Sequence, residues 1–448
     1  MDLVQLKKIV NGEFLNLVEN KKINRFEIDS RRVKEGDFFI PLKGQNADGH
    51  QYIEDAIEKG AVGYFSEKPL NFKNGILVKD TYQALVEVGK HKRNQVKAVI
   101  GITGTSGKTS TKELMNFVLS NLSSTYATQG NYNNEIGVPL TLANIPENMD
   151  FTIIEMGAGK VGDIDYLGKI VNQDISVLVS VGHGHVGKFG SFENVIKGKG
   201  EIFNCGDYSV LPSELKKFYN PKNPITYGED GDIEIRDIKI VKDGTVGVIK
   251  YKNDKIELKI PVYNIGIFKN IGAVAGVLYH LGYDPIKNLE VLKDFKSSSG
   301  RGEIINIGNF TIIDDSYNAN PLSVKNAIDI LNSMEGFKIF VLGDMLELGD
   351  YSQELHREIG RLLNASYIDY IMLYGNETRY IFEEVNDKSR VKHFDNRDDI
   401  VEDILKFSDF QPVVLVKGSR GMKMEDVILK LRIMLKYLGW EISNFYRI

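Results

Sequence analysis

The chain reads as an α/β protein of three domains, two of them built on parallel sheets. At 448 residues it is too long for a single core, since domains average roughly 150 residues. Apolar runs AVIGIT (98–103), FTIIEMG (151–157) and ISVLVSVG (175–182) alternate with helical stretches. FTIIDD (310–315), KIFVLGD (338–344), DYIMLYG (369–375) and PVVLVKG (412–418) repeat that alternation nearer the C-terminus. Near-continuous apolar strands belong to parallel sheets covered on both faces.

Residues 1–82 form the first expected domain, a small α/β unit. RFEIDSRRV (25–33), DFFIPL (37–42), AVGYF (61–65) and GILV (75–78) read as short strands, and YIEDAIEKGA (52–61) has helical spacing. Residues 83–298 form the second. Its strand 98–103 runs into a glycine-rich turn, and that turn opens a helix with Leu114, Met115, Val118, Leu119 and Leu122 on one face. IEIRDIKI (233–240) and KIELKI (255–260), with turns at 242–244 and 252–254, alternate apolar with charged residues. That pattern predicts an antiparallel β insertion with one wet face. The helical IGAVAGVLYHLG (271–282) then returns to the central domain. Residues 299–448 form the third, a Rossmann-like α/β domain whose four strands each end in Asp or Gly. Ligands of such sheets bind beyond the carboxyl ends of the strands.

Bulk composition excludes several classes. A net charge of −5 offers no basic field, so no nucleic-acid partner is expected. No apolar run is long enough to span a bilayer, and no membrane insertion is expected. MDLVQLKKIVNGEF lacks the features of a signal peptide. The lone Cys205 reads as a packed residue and fits a reducing compartment. The expectation is a cytoplasmic protein working as a monomer on small molecules.

The chemistry begins at GITGTSGKTS (101–110). Gly104 and Gly107 let backbone approach an anion, and Thr105, Ser106 and Ser110 belong to the same phosphate loop. Lys108 supplies a cation for terminal phosphates, and Thr109 a hydroxyl for the accompanying metal. The loop is one residue shorter than the usual GxxxxGKS/T form, which suits ATP-dependent amide ligases better than motors or GTPases. Glu155 ends the next strand, where a carboxylate can hold Mg²⁺ directly or through water. His183 and His185 share a Gly-rich loop, open to either a structural or a ligating reading. Lys197 and Lys199 read by themselves as surface lysines. A free ammonium near a metal would repel it, whereas a carbamate formed with CO₂ would ligate it. DDSYNANP (314–321), LGDMLELGDYSQELH (342–356) and VKGSRG (416–421) crowd polar groups beyond strand ends. Within the last, Lys417, Ser419 and Arg420 can bind carboxylate or phosphate. Arg301 sits at the expected hinge.

These motifs, in this order, resemble the Mur ligase family. The likeness is strongest to the branch joining D-alanyl-D-alanine to UDP-N-acetylmuramoyl-tripeptide, on TGTSGKTS, GNYNNEIGVPLTL (130–142), DDSYNANPLS (314–323), LGDMLELG with His356, and VKGSR. The resemblance implies a UDP-substrate domain, an ATPase domain and a Rossmann-like domain. It implies ATP and Mg²⁺ as cofactors, and an acyl phosphate that the dipeptide amine attacks. Residue by residue, it implies Lys108 on the β- and γ-phosphates, Thr109 and Glu155 on a first Mg²⁺, and His185 on a second. Lys199 matches the lysine that is carbamylated in the family, with Lys197 the alternative because the residues before Lys199 depart from the family pattern. Arg301 and Asp315 match positions contacting ATP, and Asn270 matches the adenine contact. The usual GxHNxxNA there is replaced by NIGIFKNIGA (264–273). Ser30 and Arg31, in 28–50, fall in the segment holding the uridine nucleotide. Asn134, Asn318, Asn320, Lys417, Ser419 and the 344–356 loop are implied in placing substrate or nucleotide.

Overall fold

A computed structural model describes residues 1–44, 47–241 and 244–439. Part of the expected turn at 242–244 and part of the 28–50 segment therefore lie outside the described residues. Each of the three domains carries its own sheet.

In the N-terminal sheet, strands Arg25–Glu27, Asp37–Phe39, Gly63–Ser66 and Gly75–Leu77 run parallel, and Glu13–Leu15 closes the edge antiparallel. Register pairs Phe26 with Phe38 and Phe65 with Ile76, and Phe38 meets Phe26 and Phe65 edge to face in a core with Leu3, Leu6 and Leu85. The helix Thr81–Arg93, capped by Asp80 through Gln83 N at 2.9 Å, spans the junction with the central domain. Its Leu85 and Val88 join the N-terminal core, whereas Val86 joins a central one.

Among the described residues the central sheet has nine strands. Ala98–Thr103 lies inside it, flanked by Phe151–Glu155 and Ile175–Leu178, as burial of all three strands requires. Thr125–Ala127 extends one side, and Tyr208–Pro212 and Pro224–Gly228 the other. The alternating strands are antiparallel as expected, and they join the central sheet directly. Ile233–Val241 pairs parallel with Pro224–Gly228, so the ribbon Ile233–Val241, Gly244–Tyr251, Asp254–Ile260 prolongs the central sheet. Its wet face matches the charged alternation. A bulge between Arg236 and Lys239 breaks the register, and such bulges re-aim side chains. The helix Ile267–His280 packs beneath this half of the sheet and against Lys108–Ser120 through Ile271, Val274, Val277 and Leu278.

In the C-terminal sheet the order is Glu303–Ile307, Phe310–Asp315, Pro412–Lys417, Phe337–Gly343, Tyr370–Tyr374, Val391–Phe394, all parallel except the first hairpin. Asp315, Gly343 and Lys417 therefore end neighbouring strands on one edge.

The domains dock closely. Val186 and Phe189 of the central domain share a core with Met345, Leu348 and Leu355 of the C-terminal one. A methyl on Gly187 would lie 2.4 Å from Gly349 N, which explains glycine at the closest approach. On the other side, Asn144 donates to Phe26 O at 3.0 Å and accepts from Phe26 N at 2.8 Å, so its amide serves strand Arg25–Glu27 as an edge partner. Asn144→Ala leaves both groups without a partner. Unfolding free energy, followed by urea denaturation, should fall by about 1–3 kcal/mol.

A phosphate loop facing a second sheet edge

A cavity of about 910 Å³ lies where the central and C-terminal domains meet. One wall is the phosphate loop, Thr105 to Ser110. Strand Ala98–Thr103 ends there, and the helix Lys108–Ser120 begins at Gly107 with φ +82°, a left-handed conformation suited to glycine. A Cβ at Gly107 would also meet Asn270 Oδ1 at 2.8 Å. Unpaired N–H groups at this helix start face the cavity, the arrangement that binds phosphate. The loop is anchored from behind: Ser106 N donates to Ser180 Oγ at 2.9 Å, and Gly182 N to Thr105 Oγ1 at 3.0 Å. Lys108 Nζ turns back on its own loop, donating to Gly104 O at 2.7 Å and Thr105 O at 3.3 Å. Desolvation pushes its pKa down, partly opposed by Glu155.

Glu155 is 1 % exposed at the end of its strand. Asn133 Nδ2 donates to its Oε1 at 2.8 Å, while Oε2 is buried without a hydrogen-bond partner. A buried carboxylate oxygen left unmatched is costly, and a divalent cation is the natural match for it. Thr109 and His185 line the same cavity. Among the described residues no three His, Cys, Asp or Glu side chains cluster as a metal cage. Mg²⁺ keeps waters and phosphate oxygens in its shell and takes few protein ligands.

His185 takes backbone φ +61° and its Nδ1 pairs with Glu347 of the C-terminal domain. Burial lowers its pKa to about 4, against the opposing pull of Glu347. The ring is neutral at pH 7 and able to ligate. His183 instead stacks on Phe192, with centroids 4.5 Å apart, and fits the structural reading.

Lys199 and Lys197 part company. Lys197 is exposed, whereas Lys199 is 0 % exposed, behind the cavity wall rather than lining it. Its Nζ lies 5.5 Å from the centre of the Phe189 ring and 3.5 Å from Ala158 O. Desolvation, then repulsion from Lys108, holds its pKa well below the lysine range, with Asp163 and Glu201 opposing. A neutral amine is the form that adds to CO₂, and the added carboxylate would lengthen this side chain.

The opposite wall is the C-terminal sheet edge. Lys417, 2 % exposed, donates to Asp315 Oδ2 at 2.5 Å and to Asn318 O at 3.0 Å. Burial raises the pKa of Asp315 while Lys417 pulls it down. Arg301 lies over the Tyr317 ring at 3.9 Å. Asn320 caps the helix Pro321–Asn332 and extends Nδ2 to Ser106 Oγ at 3.0 Å, a direct bond from this domain to the phosphate loop. Ser419 Oγ accepts from Leu346 N at 2.8 Å and donates to Ala319 O at 3.1 Å, tying three loops of the edge together. Asn134 lines the cavity while its Oδ1 accepts from Gly137 N at 2.8 Å.

Some expected residues lie elsewhere. Ser30 is buried and Arg31 is exposed in an ion pair with Asp29; neither lines the cavity. Their neighbour Arg32 reaches Tyr132, whose chain neighbours Asn131 and Asn133 do. Asp344 Oδ1 accepts from Glu377 N at 3.0 Å and Thr378 N at 2.9 Å, so it caps a helix, and Asp344 does not line the cavity although Leu346 and Glu347 of its loop do. His356 is buried, accepting from Met345 N at 3.1 Å and donating to Ser352 O at 2.8 Å. It braces the 344–352 loop and does not enter the site. Residues with no individual assignment from sequence line the wall as well: Asn133, Glu347, Tyr317 and, beside the ribbon's bulge, Ile238. The first three stand inside or beside the motifs above; Ile238 has no signal in the chain.

A phosphate loop closed against the polar edge of a second sheet defines a three-domain, nucleotide-dependent α/β enzyme. Family models agree along almost the whole chain: Mur ligase family, catalytic domain, over residues 22–115; Mur ligase middle domain over 102–278; and Mur ligase, glutamate ligase domain, over 300–420. The UDP-N-acetylmuramoyl-tripeptide–D-alanyl-D-alanine ligase of Bacillus subtilis is 32% identical over 446 residues, covering 95% of this chain and 97% of that protein. The crystal structure of MurF from Acinetobacter baumannii superposes with a TM-score of 0.87 at 28% identity, over 96% of this chain and 98% of that one. The MurF ligase of Thermotoga maritima, solved in complex with ADP, gives 0.84 at 30% identity, over 92% and 98%. The chain belongs to the Mur ligase family.

His356→Ala leaves the buried Met345 N without its partner and opens a cavity. Thermal and urea unfolding should show a loss of about 2–4 kcal/mol. Nucleotide affinity measured well below the melting temperature should change little.

Proposed function

We propose that the protein joins D-alanyl-D-alanine to a UDP-N-acetylmuramoyl-tripeptide, consuming ATP through an acyl phosphate and releasing ADP and phosphate. It acts in peptidoglycan precursor synthesis. The observation that carries this reading is the facing of the phosphate loop by Asp315, Lys417 and Asn320 across one cleft. Relatives of that printed activity, 30–32% identical across nearly the full chain, support it.

The tripeptide carboxylate attacks the γ-phosphorus and the bond to the β-phosphate oxygen breaks, giving ADP and an acyl phosphate. The dipeptide amine then attacks the acyl carbon, loses a proton, and phosphate leaves. Lys108 and the N–H groups of Thr105 to Ser110 hold the β- and γ-phosphates and stabilise charge on the transferring group. Mg²⁺, when bound, offsets repulsion between carboxylate and triphosphate. Thr109 and Glu155, with its unmatched Oε2, would hold the first ion, and His185 with carbamylated Lys199 the second. Asn270 beside Gly107 would meet the adenine, with Arg301 and Asp315 reaching ATP from the other domain. Asn134, Asn318, Lys417 and Ser419 would orient substrate. The docked C-terminal domain keeps water from the acyl phosphate.

The domain limits we assign are 1–82, 83–298 and 299–448, with Ser30 and Arg31 serving the uridine nucleotide on the first. Among the described residues no helix is long and apolar enough to cross a membrane. Use of ATP and a lone cysteine favour the cytoplasm. We assign the protein as a monomer.

Phosphate release assayed against UDP-linked tripeptides should require both the tripeptide and D-alanyl-D-alanine; equal release without them would exclude a ligase. Lys108→Ala should cut turnover by at least about 10³-fold with the fold intact. Lys199→Ala should cut turnover similarly and regain part of it with small carboxylic acids, whereas Lys197→Ala should stay near wild type. The reverse pattern would move the carbamate to Lys197.

A further inference from the structure

The central and C-terminal domains meet most closely where two left-handed residues face each other. His185 has φ +61° and Glu347 φ +64°, both disfavoured for residues with a side chain. Gly187 N donates to Glu347 O at 3.2 Å, and Gly187 and Gly349 pack backbone against backbone. At this contact the Glu347 carboxylate is bracketed. One oxygen pairs with His185 Nδ1, and the other accepts from Lys188 Nζ at 2.5 Å. Lys188 alone would satisfy a docking ion pair. The bond to the ring does something further: it holds the proton on Nδ1 and leaves Nε2 as the ligating nitrogen. Carboxylates behind metal-bound histidines act in this way, setting tautomer and ring orientation. Here the carboxylate comes from a different domain.

We infer that Glu347 is a positioning residue for His185, so that docking of the C-terminal domain completes the metal site of the central domain. This rests on the reading of His185 as a metal ligand. The nucleotide's second ion is then held tightly only when the cleft is shut, which ties phosphoryl transfer to exclusion of water.

Mn²⁺ binding to the full-length protein loaded with a non-hydrolysable ATP analogue, followed by electron paramagnetic resonance, tests this. Glu347→Ala should weaken the affected Mn²⁺ site about 10–100-fold. Glu347→Gln keeps an acceptor for Nδ1–H and should stay within about threefold. Lys188→Ala removes a nearby positive charge and leaves the Glu347–His185 pair and the Gly187–Gly349 packing to hold the contact, so affinity should hold or tighten. Wild-type affinity in Glu347→Ala, alongside loss in His185→Ala, would overturn the inference. So would equal losses in the Gln and Ala variants, or a comparable loss in Lys188→Ala, since either reduces Glu347 to a charge or a strut. Unchanged affinity in His185→Ala would instead remove the metal assignment on which the inference stands.

Discussion

A triphosphate and a peptide carboxylate repel each other, and a cleft that joins them has to supply positive charge while shutting out water. Here the answer is divided between domains. Lys108 and the start of its helix stand on one wall, Arg301 and Lys417 on the other. Yet the lining is electrically balanced, with six Lys or Arg side chains against six Asp or Glu. Lys417 is held by Asp315, Lys188 by Glu347, and Lys269 by Glu214. Lys108 is held by carbonyl oxygens of its own loop. These four lysines therefore stand in place before any anion arrives, oriented by partners they can share or exchange. Preorganisation of this kind avoids rearranging charges during the reaction.

The same logic explains the buried groups. Glu155 is out of water with one oxygen unmatched, a cost that a bound cation would relieve. Lys199 is fully enclosed beside Phe189, where an ammonium is disfavoured and a neutral amine is not. Neither would be kept for stability. Both make sense as parts of a site completed by a metal and by modification of the lysine.

Much of this was legible in the chain because parallel strands and phosphate loops leave strong local patterns. Ala98–Thr103 and the helix after it announce themselves by apolar runs, helical spacing and two glycines. Strands of three or four residues, such as Glu13–Leu15, Thr125–Ala127 and Val391–Phe394, are too short to show a period. Tyr208–Pro212 and Pro224–Gly228 passed unnoticed between proline and glycine punctuation. That the antiparallel ribbon continues the central sheet depends on the pairing of Tyr227 with Ile233, a tertiary choice with no local signal. The burial of Lys199 is hidden for the same reason, since a lysine on a short helix reads as solvated. Asp344 and His356 show that polar residues beside a strand end can brace a loop as readily as face a ligand.

Transfer of the terminal phosphoryl group to a peptide carboxylate is the claim on which all else hangs. It is tested most directly by turnover of a tripeptide precursor carrying ¹⁸O in its terminal carboxylate, with mass spectrometry of the phosphate released. Each turnover should deliver one ¹⁸O atom to phosphate, because the bridging oxygen of the acyl phosphate departs with it. Phosphate carrying none, with the peptide bond formed, would contradict the account.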